Sequence, residues 1–351
     1  MSSLTVALAA LGGLVLAGIV AHGAWTARRA DPKRGLPAGR PVEFREPVLG
    51  DAGEAGADAR DTADTTAFSL ERKLPKRMPA RIDALIDAIA VLNVDAPISG
   101  ELLLAHLPPT RRAGSKPFLI EGLNADTGEW EPPQTRRHYS EVQAGVQLAN
   151  RGGALNEIEY SEFVQAIQPL AEAVGAMADF PDMLEVAARA RELDTFASQH
   201  DAQLAVHLNA RSSPWSVAYI QQHAGRHGFV PGMVPGRLVL PSMEEGAPPV
   251  LTLGFDSLKA LDEHPQRATV SDVTLSFDVP QTDAKAEPFI TWQASATALS
   301  LGMDAAVVDD NGQPISPQGF GVIGAELTQL YAALDARDLA AGSMAARRLF
   351  S

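Results

Sequence analysis

The stretch Val273-Thr274-Leu275-Ser276-Phe277-Asp278-Val279 alternates apolar and polar side chains without a break. Successive side chains of a β-strand point to opposite faces of the sheet, so a period of two predicts a half-buried strand. We therefore expect an antiparallel sheet that helices cover on one face only. The outward residues of this strand would be Thr274, Ser276 and Asp278.

The sequence on both sides supplies the other elements of an α+β fold. Proline begins two predicted helices, at 288–303 and after Pro317, and Asp310-Asn311-Gly312 predicts a hairpin turn. The hairpin would join strands at 305–308 and 313–315. Upstream, we predict a helix at 214–227 and strands at 202–209, 237–240 and 250–255.

A strand–helix–strand–strand–helix order occurs at 86–174 and again at 202–303. In this comparison Ile89 and Val91 correspond to Leu204 and Val206, and residues 163–166 (Phe-Val-Gln-Ala) correspond to 289–292 (Phe-Ile-Thr-Trp). Identity between the copies is low, so either a duplicated unit or chance recurrence of a common one explains the pattern. Both explanations predict antiparallel sheets with helices on one face, similar to a split βαβ unit. The first copy would contain strands at 86–94, 118–120 and 142–148, and helices at 101–107, 156–174 and 181–198.

The first 25 residues predict a membrane anchor. No charged side chain occurs between Leu4 and Trp25, a length sufficient to cross a bilayer as a helix, and four basic residues follow within 28–34. Because positive charge stays on the cytoplasmic side, we expect a periplasmic amino terminus and a cytoplasmic remainder. A cleaved signal peptide and a buried soluble helix are the alternatives, but the charges of a signal peptide precede a shorter apolar core. The predicted anchor positions include Leu4, Leu8, Leu11, Leu14, Leu16, Ile19 and Trp25.

Composition limits the remaining possibilities. The 351 residues include no cysteine, which excludes disulfides and thiolate metal sites, and the net charge of −14 argues against nucleic-acid binding. Residues 26–79 are rich in Pro, Gly and Ala and predict a flexible tether with little apolar surface to bury. We expect α+β segments at 80–199 and 200–340, and a tail at 341–351.

No catalytic constellation is present in the sequence. It contains no Gly-x-Ser-x-Gly elbow and no phosphate-binding Gly-x-x-x-x-Gly-Lys loop. His223 and His227 lie four residues apart, the spacing of two metal ligands on a helix, but no third ligand accompanies them. We therefore expect no catalytic residue, metal, cofactor or small-molecule substrate.

Residues 203–334 resemble the carboxy-terminal domain of the ZipA family of bacterial cell-division proteins. The resemblance is carried by residues 224–229 (Ala-Gly-Arg-His-Gly-Phe), Gly232, 273–280 (Val-Thr-Leu-Ser-Phe-Asp-Val-Pro) and 305–310 (Ala-Ala-Val-Val-Asp-Asp), together with the amino-terminal span and tether. It implies a six-stranded antiparallel sheet. In that family, the exposed sheet face binds the carboxy-terminal peptide of FtsZ and tethers the Z ring to the inner membrane at the septum.

The predicted exposed face departs from the shallow apolar groove that the resemblance implies. Its residues are mostly small or polar. Either the peptide site is built differently, or the first segment packs on the second and covers this face. A membrane-anchored envelope scaffold that binds another protein is the first alternative function, and a hydrolase that works at the membrane is the second. The predicted partner-binding residues are Gln203, Ala205, His207, Thr252, Gly254, Asp256, Thr274, Ser276 and Asp278.

Overall fold

The computed structural model describes residues 81–261 and 268–351, all of which lie in one compact unit. The predicted anchor at 1–25 and tether at 26–79 lie outside the described residues. Within the described ranges, no helix combines the length and the hydropathy that a bilayer crossing requires. The expected α+β class, with antiparallel sheets and helices, is confirmed.

Residues 81–200, the first lobe, form an antiparallel sheet of seven strands. Its central strands lie in the order 116–124, 138–147, 87–93 and 177–179. The elements are β1 (Asp87–Asn93), β2 (Ile98–Ser99), α1 (Gly100–Ala105), β3 (Arg112–Ala113), β4 (Lys116–Asn124), β5 (Trp130–Glu131), β6 (His138–Gln147), β7 (Ala149–Asn150), β8 (Gly153–Ala154), α2 (Glu157–Val174), β9 (Met177–Asp179) and α3 (Met183–His200).

Residues 201–335, the second lobe, form a six-stranded antiparallel sheet. Its strands lie in the order 230–231, 237–240, 251–254, 272–278, 203–210 and 305–308. The elements, with a last helix that follows the lobe, are β10 (Gln203–Ala210), β11 (Trp215–Ser216), α4 (Val217–Arg226), β12 (Val230–Pro231), β13 (Arg237–Leu240), β14 (Leu251–Gly254), α5 (Ser257–Ala260), β15 (Thr269–Val270), β16 (Asp272–Asp278), α6 (Pro288–Met303), β17 (Ala305–Val308), α7 (Pro317–Asp335) and α8 (Met344–Leu349).

Local sequence signals explain where the two main core helices begin. Asn156 and Glu159 form a reciprocal capping box at the start of α2, and Pro288 occupies the first turn of α6, where no intrahelical N–H is needed. Each helix then buries one stripe with successive spacings of four, three and four residues. The stripes are Phe163, Ile167, Leu170 and Val174 in α2, and Trp292, Ala296, Leu299 and Met303 in α6.

The two lobes share their topology and the register of their central strands. The sheet of the first lobe contains the strand order β4-β6-β1-β9, and the sheet of the second lobe contains the equivalent order β14-β16-β10-β17. Leu92 pairs with Val142, and Leu208 pairs with Val273 at the equivalent place. The inward residues Ala88, Ala90 and Leu92 therefore correspond to Leu204, Val206 and Leu208.

Two details of the predicted correspondence are wrong by a short shift. Ile89 and Val91 lie on the sheet face away from the buried Ala88, Ala90 and Leu92, so they do not correspond to Leu204 and Val206. Likewise, the buried stripes match Phe163 to Trp292 rather than to Phe289. The strand shift arises because sequence similarity at low identity does not fix which strand face is inward, and the helix shift because it does not fix where the buried stripe begins.

The predicted hairpin after β17 is reduced to a single bridge. The Asp309 carboxylate accepts hydrogen bonds from the backbone N–H groups of Asn311 and Gln313, so the predicted turn forms. The expected strand at 313–315 does not, and Val308 meets Pro314 in an isolated bridge. The Asp309 N–H donates to the Gln313 carbonyl at 2.9 Å and the Ile315 N–H to the Val307 carbonyl at 3.4 Å, while Pro314 between them has no N–H to donate to a ladder.

Residues 336–351, the carboxy-terminal segment, return to the first lobe. Helix α8 buries Leu349, and Phe350 after it is also buried, both in the first-lobe core. The Arg348 guanidinium makes a bidentate pair with Asp87, at 2.6 and 2.8 Å, and the Asp87 side chain is fully buried. The predicted tail at 341–351 is therefore a packed part of the fold, because its apolar residues complete a core that begins more than 250 residues earlier.

Arg348→Ala is expected to lower the free energy of unfolding by about 3–5 kcal/mol, because it leaves the buried Asp87 carboxylate without its countercharge. The matched control is Arg191→Ala, which removes the exposed pair with Glu157 and should cost at most about 1 kcal/mol. Denaturant unfolding of both variants measures the difference. Equal losses would contradict a role for Arg348 in holding the carboxy-terminal segment to β1.

Candidate partner-binding face

The face of the six-stranded sheet opposite its helices, here called the open face, is built from two rows of side chains. In the first row, Ser276 lies between Ala205 and Thr252, its partners on the adjacent strands. In the second row, Thr274 lies between His207 and Gly254 in the same way. The predicted face residues on β10, β14 and β16 are thus brought together.

The open face is lined by small side chains because the large ones point the other way. The inward residues Leu253, Leu275 and Val206 are fully buried under the helices. Trp292 reaches this core from α6, and its indole N–H donates to the Leu275 carbonyl at 2.9 Å. The outward Thr252, Thr274 and Ser276 stay partly exposed, which leaves a shallow floor with hydroxyl groups.

His207 is the centre of a polar group at one end of the open face. Its Nδ1 lies 3.1 Å from Asp272 Oδ1, and its Nε2 lies 3.2 Å from Asp310 Oδ1. Thr274 Oγ1 lies 3.4 Å from the same Nδ1. The imidazole is therefore fixed between two carboxylates that are themselves largely exposed. In the described ranges, no three His, Asp or Glu side chains are arranged to hold a metal ion.

The opposite end of the open face is closed by an ion pair between the lobes. Asp278 pairs with Gln203 in the sheet register, but its carboxylate accepts a 2.6 Å hydrogen bond from Arg151. Arg151 also binds Asp201. Burial raises the pKa of the Asp278 carboxyl above its ordinary value, and the bound guanidinium opposes that shift. Asp278 is thus engaged within the protein, although the sequence places it among the partner-binding residues.

Asp256 also differs from its predicted position on a strand. Strand β14 ends at Gly254, and the Asp256 carboxylate caps α5 by accepting from the Leu258 N–H at 2.9 Å. A cavity of about 580 Å³ lies beside it, lined in part by Gly254, Lys259 and Asp272. Asp256 therefore lies at the rim of the open face.

Strands β12 and β13 add residues that the sequence prediction missed. Val239 pairs with Thr252 and Val230 with Val239, so both valines extend the first row toward the sheet edge. Arg237 pairs with Gly254 and extends the second row. The alternation of Arg237, Leu238 and Val239 indicates that Leu238 lies on one face and the other two on the opposite face. Which face is the open one follows only from the register of β13 with β14. The valines make this end of the open face more apolar than predicted.

The first lobe does not cover the middle of the open face. Its contact is at the margin, where Arg151 meets Asp278, whereas Thr252 and Ser276 are partly exposed. The sequence left two explanations for this polar face: a peptide site built differently, or a face covered by the first segment. The second explanation does not apply to the central rows.

Comparison with known proteins adds little to this picture. No protein-family model matches the sequence, and no curated protein matches it. Among solved structures, the chain is similar to the berberine bridge enzyme from Eschscholzia californica, with 12% identity and a TM-score of 0.15. The match covers 72% of this chain and 52% of that chain, so the chain spans about half the length of that enzyme. A TM-score this low supports no conclusion about fold or function.

Gly254→Val is expected to leave the free energy of unfolding within about 1 kcal/mol of the original, because a β-branched residue suits a strand and the face above it is open. A Cβ at this position would meet its nearest neighbour, the Thr274 carbonyl oxygen, at 3.9 Å. The control is Gly145→Val in β6, where a Cβ would lie 2.7 Å from Ile82. Overpacking there should cost about 1–3 kcal/mol.

Thermal unfolding of the two glycine variants gives the comparison. Equal destabilisation would contradict an accessible surface at Gly254.

Proposed function

We propose that this protein is a membrane-anchored cell-division adaptor that binds the carboxy-terminal peptide of FtsZ and tethers the Z ring to the inner membrane. The observation that carries the proposal is the open face of a six-stranded antiparallel sheet whose core helices, α4, α6 and α7, pack on the other side. This is the arrangement that the resemblance to the ZipA family implies. The anchor at 1–25 and the tether at 26–79 enter the proposal from the sequence alone.

The mode of binding follows from where the sheet has free groups. Strands β10, β14 and β16 are paired on both sides, so their backbone groups are already hydrogen-bonded within the sheet. A peptide on the open face would therefore be recognised through side chains rather than by adding a strand. Val230 and Val239 supply apolar contact at one side of the floor, and the carboxylates beside His207 supply polar contact at another.

A shallow face of this kind favours weak single contacts. Each Å² of apolar surface removed from water contributes only about 25 cal/mol, and association itself costs several kcal/mol. Many adaptors along one filament would offset this weakness, because each bound peptide raises the effective concentration of the next. A flexible tether of about 50 residues has a root-mean-square span of roughly 40 Å, which would give each domain the required reach.

The composition of the floor favours a second candidate function. Ser276, Thr252 and Gly254 provide less apolar surface than the groove that the family resemblance implies. A membrane-anchored envelope scaffold that binds a different protein through the same face would also fit this surface. The proposed functions share the open face and differ in the partner.

Calorimetric titration of the full chain with the FtsZ carboxy-terminal peptide tests the proposal. We expect binding in the micromolar range, and at least a tenfold loss for Gly254→Val, whose side chain would project into the floor. Ile290→Ala, on the exposed side of α6, is the control and should bind like the original protein. Absence of binding to the original protein would reject FtsZ as the partner and favour the scaffold function.

A further inference from the structure

The sheet face of the first lobe that corresponds to the open face is occupied by the chain itself. Residues 81–86, here called the crossing segment, precede β1; the Ile82 side chain sits directly above Gly145 of β6, and Ile86 is buried in the first-lobe core. The Ile82 backbone N–H donates to the Glu121 carboxylate at 3.1 Å. The segment thus contacts the sheet through the Ile82 side chain and through one hydrogen bond from the Ile82 main chain.

The crossing segment is fixed from three directions. Arg348 of the carboxy-terminal segment donates to the Arg81 carbonyl at 2.7 Å while it pairs with Asp87. The Asp83 N–H donates to the same Asp87 carboxylate at 2.8 Å. Arg189 of α3 donates to the Ala84 carbonyl at 2.8 Å. Hydrogen bonds at Arg81, Asp83 and Ala84 therefore hold the crossing segment in place, and they leave Ile82 partly buried against the sheet.

The shared register identifies the equivalent place in the second lobe. Gly145 lies between Ile89 and Leu119 on its neighbouring strands. Ser276 lies between Ala205 and Thr252 in the same way. The position that Ile82 fills in the first lobe is thus the partly exposed space above Ser276.

We infer that the two lobes carry the same peptide-binding surface, filled in the first lobe by the crossing segment and left in the second for a partner. In the second lobe, a branched aliphatic side chain of the bound peptide takes the place above Ser276. Each chain binds one peptide, because the first-lobe surface is already occupied. This inference rests on the proposed function. It specifies where the peptide's aliphatic side chain binds on the open face and how many peptides each chain binds.

Charge on the open face defines the partner further. In the first lobe, the carboxylate of Glu121 lies one row from Gly145 and binds the occupant's N–H. The equivalent row of the second lobe contains Gly254, Thr274 and His207. Among the described residues around this row, the carboxylates of Asp256, Asp272, Asp309 and Asp310 outnumber the cations Arg237 and Lys259. The partner is a short peptide with a basic residue beside its aliphatic anchor.

Titration of the full chain with the FtsZ carboxy-terminal peptide, and with versions in which each aliphatic residue is changed to Ala, tests this inference. We expect one peptide per chain and at least a tenfold loss of affinity for Ser276→Leu, which fills the place of the peptide's aliphatic side chain. Ser198→Leu makes the same chemical change on the exposed surface of α3 and should bind like the original protein. Thr252→Leu serves as a second blocking variant, and thermal unfolding shows that each variant is folded.

The outcomes separate the inference from the proposed function. Two peptides per chain, or full affinity in folded Ser276→Leu and Thr252→Leu, would overturn the inference while FtsZ remained the partner. Loss of affinity in both blocking variants and in one aliphatic-to-Ala peptide would support it. Absence of binding to the original protein would overturn both.

Discussion

The alternation of side chains along the central strands is the constraint on which the rest of the structure depends. In β16, Leu275 and its apolar neighbours point toward α6, where the Trp292 indole is bonded to the Leu275 carbonyl. All the large side chains of the strand are thereby placed on one side, so Thr274 and Ser276 are left on the other. The open face follows directly from this separation of large and small side chains onto opposite faces of the sheet.

The second organising feature is the return of the chain to its own beginning. Arg348 binds the buried Asp87 on β1 and the carbonyl of Arg81, so the last helix orders both the first strand and the crossing segment. This contact explains why two lobes with the same topology have different surfaces. The first-lobe face holds Ile82, whereas the corresponding position of the second lobe carries the small side chains of Ala205, Thr252 and Ser276.

Sequence periodicity and capping residues predicted nearly all the main elements, because each signal is local. Proline at the start of α6 and the alternation in β16 are examples in which the boundaries agree within a residue or two. The same alternation placed Thr252 and Ser276 on one face. What depends on contacts distant in sequence was missed, namely Val239 on that face, the one-residue shift at Ile89 and the docking of Leu349 in the first core.

Amide chemical-shift mapping of the full chain, with the FtsZ carboxy-terminal peptide added, is the most direct measurement of whether the open face binds a partner. The largest changes are predicted at Ala205, Thr252 and Ser276, with the amide of Gly145 unaffected beneath Ile82. Changes confined to the helical side of the second lobe, or to the first lobe, would contradict binding on this face.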